Sequence, residues 1–383
     1  MQQSRQNRRR RKHITQLGIL LLLCLVLIFL IIHVSRQKPH GTRTITSQHS
    51  SVQQIASKAR HHHDTIEART IVRNQTLDDY LRRVAFNGTA MVVRDNRIVL
   101  DKGYGYADFA KQRRNSPLST YYIASIQKSL IATAIMQLQE QGKLHVTDSL
   151  ARYLPRFPNG NAITLYHLLT HTSGIVGHRE GSHYISRQAL IADIQRRGVR
   201  GPVGRWQYND SNYSLLAFIV EKVSHQSIET YLKTHVFQKA GLTQTGFYRT
   251  YWKQQNPTTG YRFVNGKRIT PFLLNLSQLY GCGNIYMSAS DLYRFDHALM
   301  TGRLIGADSL RQMMTPNLAR YGFGFYDDPG SYSNHGVLPG WNVLNSFSHS
   351  GRTYVILLSN IENSGLSFGL MNEHIYEILN QEN

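Results

Sequence analysis

Two short segments with strand-like patterns lie near the start of the folded part of the chain, and two more lie near its end. Residues 88–93 and 98–104 are rich in apolar residues and flank Asp95-Asn96, a dipeptide typical of a tight hairpin turn. Residues 341–347 and 353–359 flank a second turn. These patterns predict antiparallel strand pairs at both ends of the domain.

Between these pairs the pattern changes to the longer period of helices. Residues 129–138 are strong helix formers, and Gly142 follows as a typical helix terminator. Residues 130–300 follow mostly helical patterns, and Thr76 is predicted to cap a short helix near the start of the domain. A closing amphipathic helix is also predicted, with four core positions at Leu366, Leu370, Ile375 and Ile378. The order of elements predicts an α+β fold, in which one antiparallel sheet is built from both ends of the chain and a helical subdomain is inserted between its halves.

The first 70 residues differ from the rest of the chain. Six cationic side chains precede an apolar run over residues 17–34, which is long enough to span a bilayer with its N-terminus in the cytoplasm. A cleaved signal peptide is the alternative, but no small-residue cleavage site follows the run. We therefore predict a cytoplasmic basic tail (1–13), a transmembrane anchor (14–34), a flexible stalk (35–70) and one extracellular folded domain (71–383).

Charge indicates the kind of partner. The formal net charge is +21, and residues 1–63 supply eleven of the cationic side chains and no acid, which leaves +10 for residues 64–383. A basic domain attracts polyanions. Because the anchor separates the domain from nucleic acid, we expect an anionic cell-wall polymer or lipid headgroups as the partner. Nothing in the sequence indicates an oligomeric state.

The strongest chemical signal is a serine and a lysine three residues apart. Ser125 and Lys128 open the apolar helical run, so both lie on one helical face. A helix N-terminus favours developing negative charge, and a lysine acts as a base when desolvation and neighbouring charge lower its pKa. The spacing predicts a serine nucleophile, Ser125, activated by Lys128.

A serine–lysine hydrolase also needs a second proton carrier and an oxyanion hole. Tyr208 lies in a loop before an apolar helix and is the candidate proton carrier. Gly336 and Val337 belong to a segment whose glycines allow a strand edge to approach a ligand closely. We predict that the backbone N–H groups of Ser125 and Val337 hold the oxyanion. The turn at residues 349–351 is the weaker alternative.

Five stretches together resemble the serine β-lactamase and penicillin-binding-protein superfamily, in its class C-like branch, over roughly residues 76–380. They are Ser125-x-x-Lys128, KGYGYAD at 102–108, ITLYHLLTHTSG at 163–174, YND at 208–210 and PGW at 339–341. The resemblance implies a β-lactamase/transpeptidase-like fold and no cofactor. It also implies a structural role for His167 and His171, which lack the glutamate of a zinc motif, so we predict no metal.

Two departures from the superfamily pattern concern the substrate. Asp210 stands where the family usually has an asparagine, and Asn334-His335-Gly336 replaces a strand that normally carries a cation for a substrate carboxylate. An added carboxylate and a missing cation favour an uncharged or cationic acyl group. The Tyr-x-Asp variant resembles FmtA-type teichoic acid D-alanyl esterases, in which the acyl group is D-alanine with a free amine.

The resemblance thus implies a membrane-anchored, wall-facing serine hydrolase that removes D-alanyl esters from teichoic acids through an acyl-enzyme. Asp210 either faces the substrate amine or orients Lys128, and the sequence leaves both open. One alternative is a D-Ala-D-Ala carboxypeptidase or other penicillin-binding protein. Another is a non-catalytic regulatory protein that binds a cell-wall polymer.

Overall fold

The structure is a computed structural model that describes residues 69–381. Its strands are, in chain order, β1 (Ile71–Val72), β2 (Gly88–Arg94), β3 (Arg97–Tyr104), β4 (Tyr106–Asp108), β5 (Arg113–Arg114), β6 (Thr120–Tyr122), β7 (Gly246–Phe247), β8 (Arg262–Val264), β9 (Lys267–Ile269), β10 (Ile285–Ser288), β11 (Tyr326–Asp328), β12 (Ser331–Leu338), β13 (Trp341–Ser348) and β14 (Tyr354–Ser359). Seven of them form an antiparallel sheet in the order β1-β3-β2-β14-β13-β12-β11, and the others form small sheets of two or three strands.

Both ends of the described chain contribute to this sheet, as the sequence predicts. Strand β2 from the N-terminal hairpin pairs with β14 from the C-terminal strands, with Gly88 opposite Ser359. Asp95 and Asn96 both have positive φ angles at the turn between β2 and β3, which matches the expected tight hairpin.

Both faces of the sheet pack against hydrophobic cores. Val355 and Leu357 of β14 pack into one hydrophobic core, whereas Ile356 and Leu358 pack into the other. Because neighbouring residues of a strand point to opposite faces, a continuous apolar run covers both layers. The central strand β14 is therefore fully buried.

Eleven α-helices lie within the described residues: α1 (Gln75–Arg83), α2 (Gln127–Glu140), α3 (Leu150–Tyr153), α4 (Leu165–Leu169), α5 (Arg187–Arg197), α6 (Ser211–Ser224), α7 (Ile228–Leu232), α8 (Gln238–Ala240), α9 (Ala289–Met300), α10 (Ala307–Met314) and α11 (Phe368–Gln381). Helices α1 and α11 cover one face of the sheet, and α2, α6 and α9 contribute to the larger core on the other. Helix α2 is buried along almost its whole length, and it ends before Gly142, as expected.

The structure corrects two details of the predicted helices. Asn74, and not Thr76, caps α1, because the Asn74 side chain accepts a hydrogen bond of 2.9 Å from the Leu77 amide. Leu370 is not a core position, since it is 66% exposed on α11, while Ile375 and Ile378 are buried.

The predicted tail, anchor and almost all of the predicted stalk lie outside the described residues. Within residues 69–381, none of the helices combines the length and the apolar character that crossing a bilayer requires.

Candidate active site

Ser125 sits in a strained turn at the start of α2. A 3-10 turn, Ala124–Ile126, leads directly into the helix, and Ala124 has a φ angle of +48°. A non-glycine residue in this region costs energy and is held there only by its surroundings. The turn leaves Ser125 half-buried and facing the cavities described below, while the residues around it are buried.

Lys128 lies beneath Ser125 and is fully buried. Its Nζ is 2.9 Å from Ser125 Oγ, 2.8 Å from Asp210 Oδ1 and 3.3 Å from the Cys282 carbonyl oxygen. An ammonium has three N–H donors, and three oxygen atoms surround it here. The structure thus brings Ser125, Lys128 and Asp210 together, although Asp210 lies 82 positions after Lys128 in the sequence.

The expected lowering of the lysine pKa is wrong. Burial alone lowers the pKa of Lys128, but the Asp210 carboxylate overcomes this effect and holds the pKa above its usual value. Because a carboxylate within ion-pair distance favours the charged form, Lys128 is an ammonium that donates to Ser125 Oγ in the resting site. Of the two roles left open for Asp210, the structure supports contact with Lys128.

Tyr208 approaches the same group with its ring. The Lys128 ammonium is 4.9 Å from the centre of the Tyr208 ring, and Tyr208 lines a cavity together with Ser125. Within the described part of the chain, no hydrogen bond joins the Tyr208 hydroxyl to Ser125 or Lys128. A cation–π contact therefore holds Tyr208 beside the nucleophile, and its role as proton carrier stays a prediction.

His171 fixes the loop that carries Tyr208 and Asp210. Its Nδ1 accepts hydrogen bonds from the Asn209 amide at 3.2 Å and from Asn212 Nδ2 at 3.0 Å, and its ring packs against the Tyr208 ring at a tilt of 33°. Burial, together with the nearby Lys128 charge, holds the pKa of His171 well below its usual value. A neutral His171 is needed, because a protonated Nδ1 could not accept these bonds.

His167 has a different structural role at the start of α4. Its Nδ1 accepts a hydrogen bond of 3.1 Å from the Thr164 amide and completes a capping box with the Thr164 side chain. Both histidines of the TSG-containing stretch therefore stabilise loops and helix ends.

Strand β12 lies directly against the nucleophile turn. A Cβ atom on Gly336 would be 2.1 Å from the Ile123 carbonyl oxygen, so only glycine permits this approach. Within the described sheet, β11 pairs with β12 only from Ser331 to Ser333, which leaves residues 334–338 as an edge beside Ser125. Val337 lines two cavities with Ser125, which is the placement expected for an oxyanion-hole residue.

The alternative turn at residues 349–351 lies at the other end of this strand pair. Ser348, just before it, pairs with Ser331, whereas Trp341 at the cleft end pairs with Leu338. The His349 ring contacts Asp327 at 2.9 Å and lines none of the cavities that Ser125 lines.

Ser125 opens onto two cavities, of about 310 and 270 Å³. The smaller is lined by leucines together with Asp210 and Glu180, and these two carboxylates also border a third cavity of about 310 Å³. Among the described residues lining the three cavities there is no lysine or arginine. An acyl group with a carboxylate finds no counter-ion on these walls, whereas an ammonium finds two carboxylates.

The sequence interpretation missed Glu180. It lies in a loop between Gly177 and Gly181, with no strand or helix pattern and no motif around it. Only its proximity to Asp210 in three dimensions indicates a functional role, and a single sequence carries no signal of that proximity.

Comparison with known proteins agrees with this geometry. A beta-lactamase family profile matches residues 74–379. The putative penicillin-binding protein PbpX of Bacillus subtilis (strain 168) is 52% identical over 317 residues, which cover 82% of this chain and 81% of that protein. The teichoic acid D-alanine hydrolase of Staphylococcus aureus is 29% identical over 271 residues, which cover 70% of this chain and 67% of that protein.

A solved structure gives the same picture of the fold. The crystal structure of FmtA from Staphylococcus aureus superposes with a TM-score of 0.74 at 26% identity, covering 82% of this chain and 93% of that chain.

Proposed function

The chain belongs to the beta-lactamase family and is a serine hydrolase, and we propose that it removes D-alanyl esters from teichoic acids. The observation that supports this substrate most strongly is the charge of the cleft. Ser125 shares a cavity with Asp210 and Glu180, and none of the described cavity-lining residues is a lysine or arginine. A D-alanyl ester presents a free ammonium next to its carbonyl carbon, which such a cleft attracts. The similarity to the Staphylococcus aureus hydrolase supports this choice.

The reaction begins with the Lys128–Asp210 pair. As Ser125 Oγ attacks the ester carbonyl carbon, its proton passes to Lys128 Nζ, and Nζ releases one to Asp210 Oδ1. The contact distances of 2.9 and 2.8 Å permit both transfers. Asp210 thus allows a charged lysine to accept a proton.

Acylation ends when the ester C–O bond breaks. The polyol oxygen receives the proton through Lys128 or Tyr208 and leaves, and the D-alanyl group stays on Ser125. The backbone N–H groups of Ser125 and Val337 hold the negative oxygen. Water then attacks the acyl carbon and returns a proton to Ser125 Oγ through the same groups, which releases D-alanine.

The proposal includes the location of the enzyme. The apolar run at residues 17–34 and its cationic flank support a single membrane anchor with the hydrolase domain outside the cell. The net charge of +10 on residues 64–383 supports binding to an anionic wall polymer.

The test is release of free D-alanine by the full chain from D-alanylated teichoic acid, with alanine-free polymer as the blank. We expect release by the wild type and none by Ser125→Ala. Equal release by the variant would remove Ser125 as the nucleophile, and no release by a folded wild type would reject the proposed substrate.

A second candidate is a penicillin-binding D-Ala-D-Ala carboxypeptidase, which the identity of 52% to a putative penicillin-binding protein favours. A fluorescent penicillin separates the two. Stable acylation of Ser125 by the penicillin, with D-alanine released from a D-Ala-D-Ala peptide and not from the polymer, would support the second candidate.

A further inference from the structure

The two carboxylates of the cleft are not equivalent. The Asp210 carboxylate is 2.8 Å from the Lys128 ammonium, so its charge is already compensated. Glu180 forms no ion pair and no side-chain hydrogen bond within residues 69–381. It is thus the carboxylate at the cleft that still lacks a cation.

The loop around Glu180 is held in place from both sides. The His178 amide donates to Ser211 Oγ at 2.7 Å, and the Gly181 amide donates to Gln278 Oε1 at 3.2 Å. The His178 ring is fixed between Asp193 and Gln278, with distances of 2.6 Å to each. Glu180 is therefore presented to the cleft by an anchored backbone, and it reaches the cavity of about 270 Å³ that Ser125 and Asp210 also line.

The electrostatic surroundings of Glu180 fit a cationic ligand. Glu180 is exposed on its loop, yet neighbouring protein atoms remove enough water from its carboxylate to raise its pKa, and the charge of Asp210 raises it further, while His178 and Lys128 act in the opposite direction. An ammonium placed beside Glu180 would stabilise its carboxylate in the charged form.

We propose that Glu180 binds the ammonium of the D-aminoacyl group, so that this residue selects esters of free amino acids over uncharged esters. The inference rests on the proposed function and assigns the two acids of the cleft separate tasks. Asp210 serves Lys128 and the proton transfer, and Glu180 recognises the substrate. Glu180 is a specificity residue for the acyl group and takes no part in bond breaking.

The test compares two small esters of the same alcohol with the full chain. One is a D-alanyl ester, and the other is the D-lactyl ester, in which an uncharged hydroxyl replaces the ammonium. A hydrogen bond to a charged group is worth roughly 1.5–3 kcal/mol, so Glu180→Gln should lower kcat/KM for the D-alanyl ester by about 10- to 100-fold, chiefly through KM. The D-lactyl ester should be hydrolysed at the wild-type rate.

The matched control is Glu373→Gln, which removes one exposed carboxylate from α11 and should leave kcat/KM for both esters unchanged.

The pH dependence of the wild type gives a second readout. Its preference for the D-alanyl ester should decline as pH falls through the pKa of Glu180, and Glu180→Gln should lack this dependence. Equal losses for both esters in Glu180→Gln, or no loss for either, would overturn the assignment. In both of these outcomes, hydrolysis of the D-alanyl ester by the wild type through Ser125 would still support the proposed function. Only the assignment of Glu180 would then fail.

Discussion

At the scale of single residues, the unusual feature of this site is an ion pair between a fully buried lysine, Lys128, and a half-buried aspartate, Asp210. A lysine in a dry environment normally loses its proton, but Asp210 at 2.8 Å keeps Lys128 charged. The ion pair keeps Lys128 charged, and the Asp210 carboxylate is the final acceptor for the proton that Ser125 must lose.

Replacing Asp210 tests whether its carboxylate accepts the proton of Ser125. Asp210→Asn keeps the shape of the side chain and removes the proton acceptor, so kcat should fall by roughly 10²- to 10⁴-fold. Steady-state kinetics with a small D-alanyl ester would measure the loss. The control is Asp308→Asn, at an exposed position on α10, which should leave kcat unchanged. A wild-type kcat in Asp210→Asn would contradict the proton path.

Sequence reasoning succeeded for residues whose relation is local and failed for relations that only folding creates. Ser125 and Lys128 are three positions apart on a helix, so their contact follows from helical geometry. The pKa of Lys128 depends on Asp210 from another loop, and the sequence predicted a shift in the opposite direction. Glu180 has no local signal at all.

At the scale of elements, strand β12 and the turn before α2 form the wall and floor of the cleft. Gly336 allows the strand to touch the backbone that precedes Ser125. The predicted oxyanion hole thus depends on a contact between two backbones, which fixes Val337 relative to the nucleophile.

Adding one methyl group to this contact should disturb both stability and activity. In Gly336→Ala the new Cβ would start 2.1 Å from the Ile123 carbonyl oxygen, so β12 must move away. We expect a loss of about 1–3 kcal/mol in the free energy of unfolding and a lower kcat. Urea denaturation and steady-state kinetics would measure these effects.

Gly369→Ala is the matched control, because Gly369 is exposed in the first turn of α11 with ample space around it. It should preserve kcat and keep or raise stability. Wild-type stability and kcat in Gly336→Ala would show that the two backbones are not in the close contact described here.

The type of an element was predictable where the pattern of apolar residues was strong. The face that a helix buries was less predictable. The hairpin at Asp95-Asn96 and the buried strand β14 follow directly from turn chemistry and apolar runs. The orientation of α11 follows only in part, because Ile375 and Ile378 are buried as predicted and Leu366 packs against the core from just before the helix, whereas Leu370 is exposed. Met371 takes the core position next to it.

At the scale of the whole molecule, a buried acid makes stability depend on pH. Asp101 on β3 is buried, its Oδ1 has no hydrogen-bond partner, and burial raises its pKa to about 7, although Arg294 acts against the shift. The folded state thus holds a proton that the unfolded state releases near pH 4. The contribution of Asp101 to the free energy of unfolding therefore falls as pH rises from about 4 to about 7 and then stays level.

Asp101→Asn should remove this contribution. The variant should gain stability over the wild type as pH rises from 5 to 7, approaching an advantage on the order of 4 kcal/mol by pH 8, since each pKa unit corresponds to about 1.4 kcal/mol. Urea denaturation at pH 5 and pH 8 would measure it. A constant difference between the two proteins across this range would mean that Asp101 is ionised in the folded state.

The positive charge of the domain should strengthen binding of the polymer and should not affect the bond-breaking step. Added salt screens long-range attraction, so KM for D-alanylated teichoic acid should rise with ionic strength, while KM for a small D-alanyl ester should change much less. Equal salt dependence for both substrates would show that the charge of +10 on residues 64–383 does not guide polymer binding.

The mass of the enzyme during its first turnover tests most directly whether Ser125 forms an acyl-enzyme. An activated D-alanyl ester, whose leaving group departs faster than water can attack, is mixed with the full chain and quenched in acid. The acyl-enzyme mechanism predicts one added D-alanyl group, located on Ser125 by peptide mapping and absent from Ser125→Ala. A D-alanyl group on another residue, or turnover with no adduct under these conditions, would contradict it.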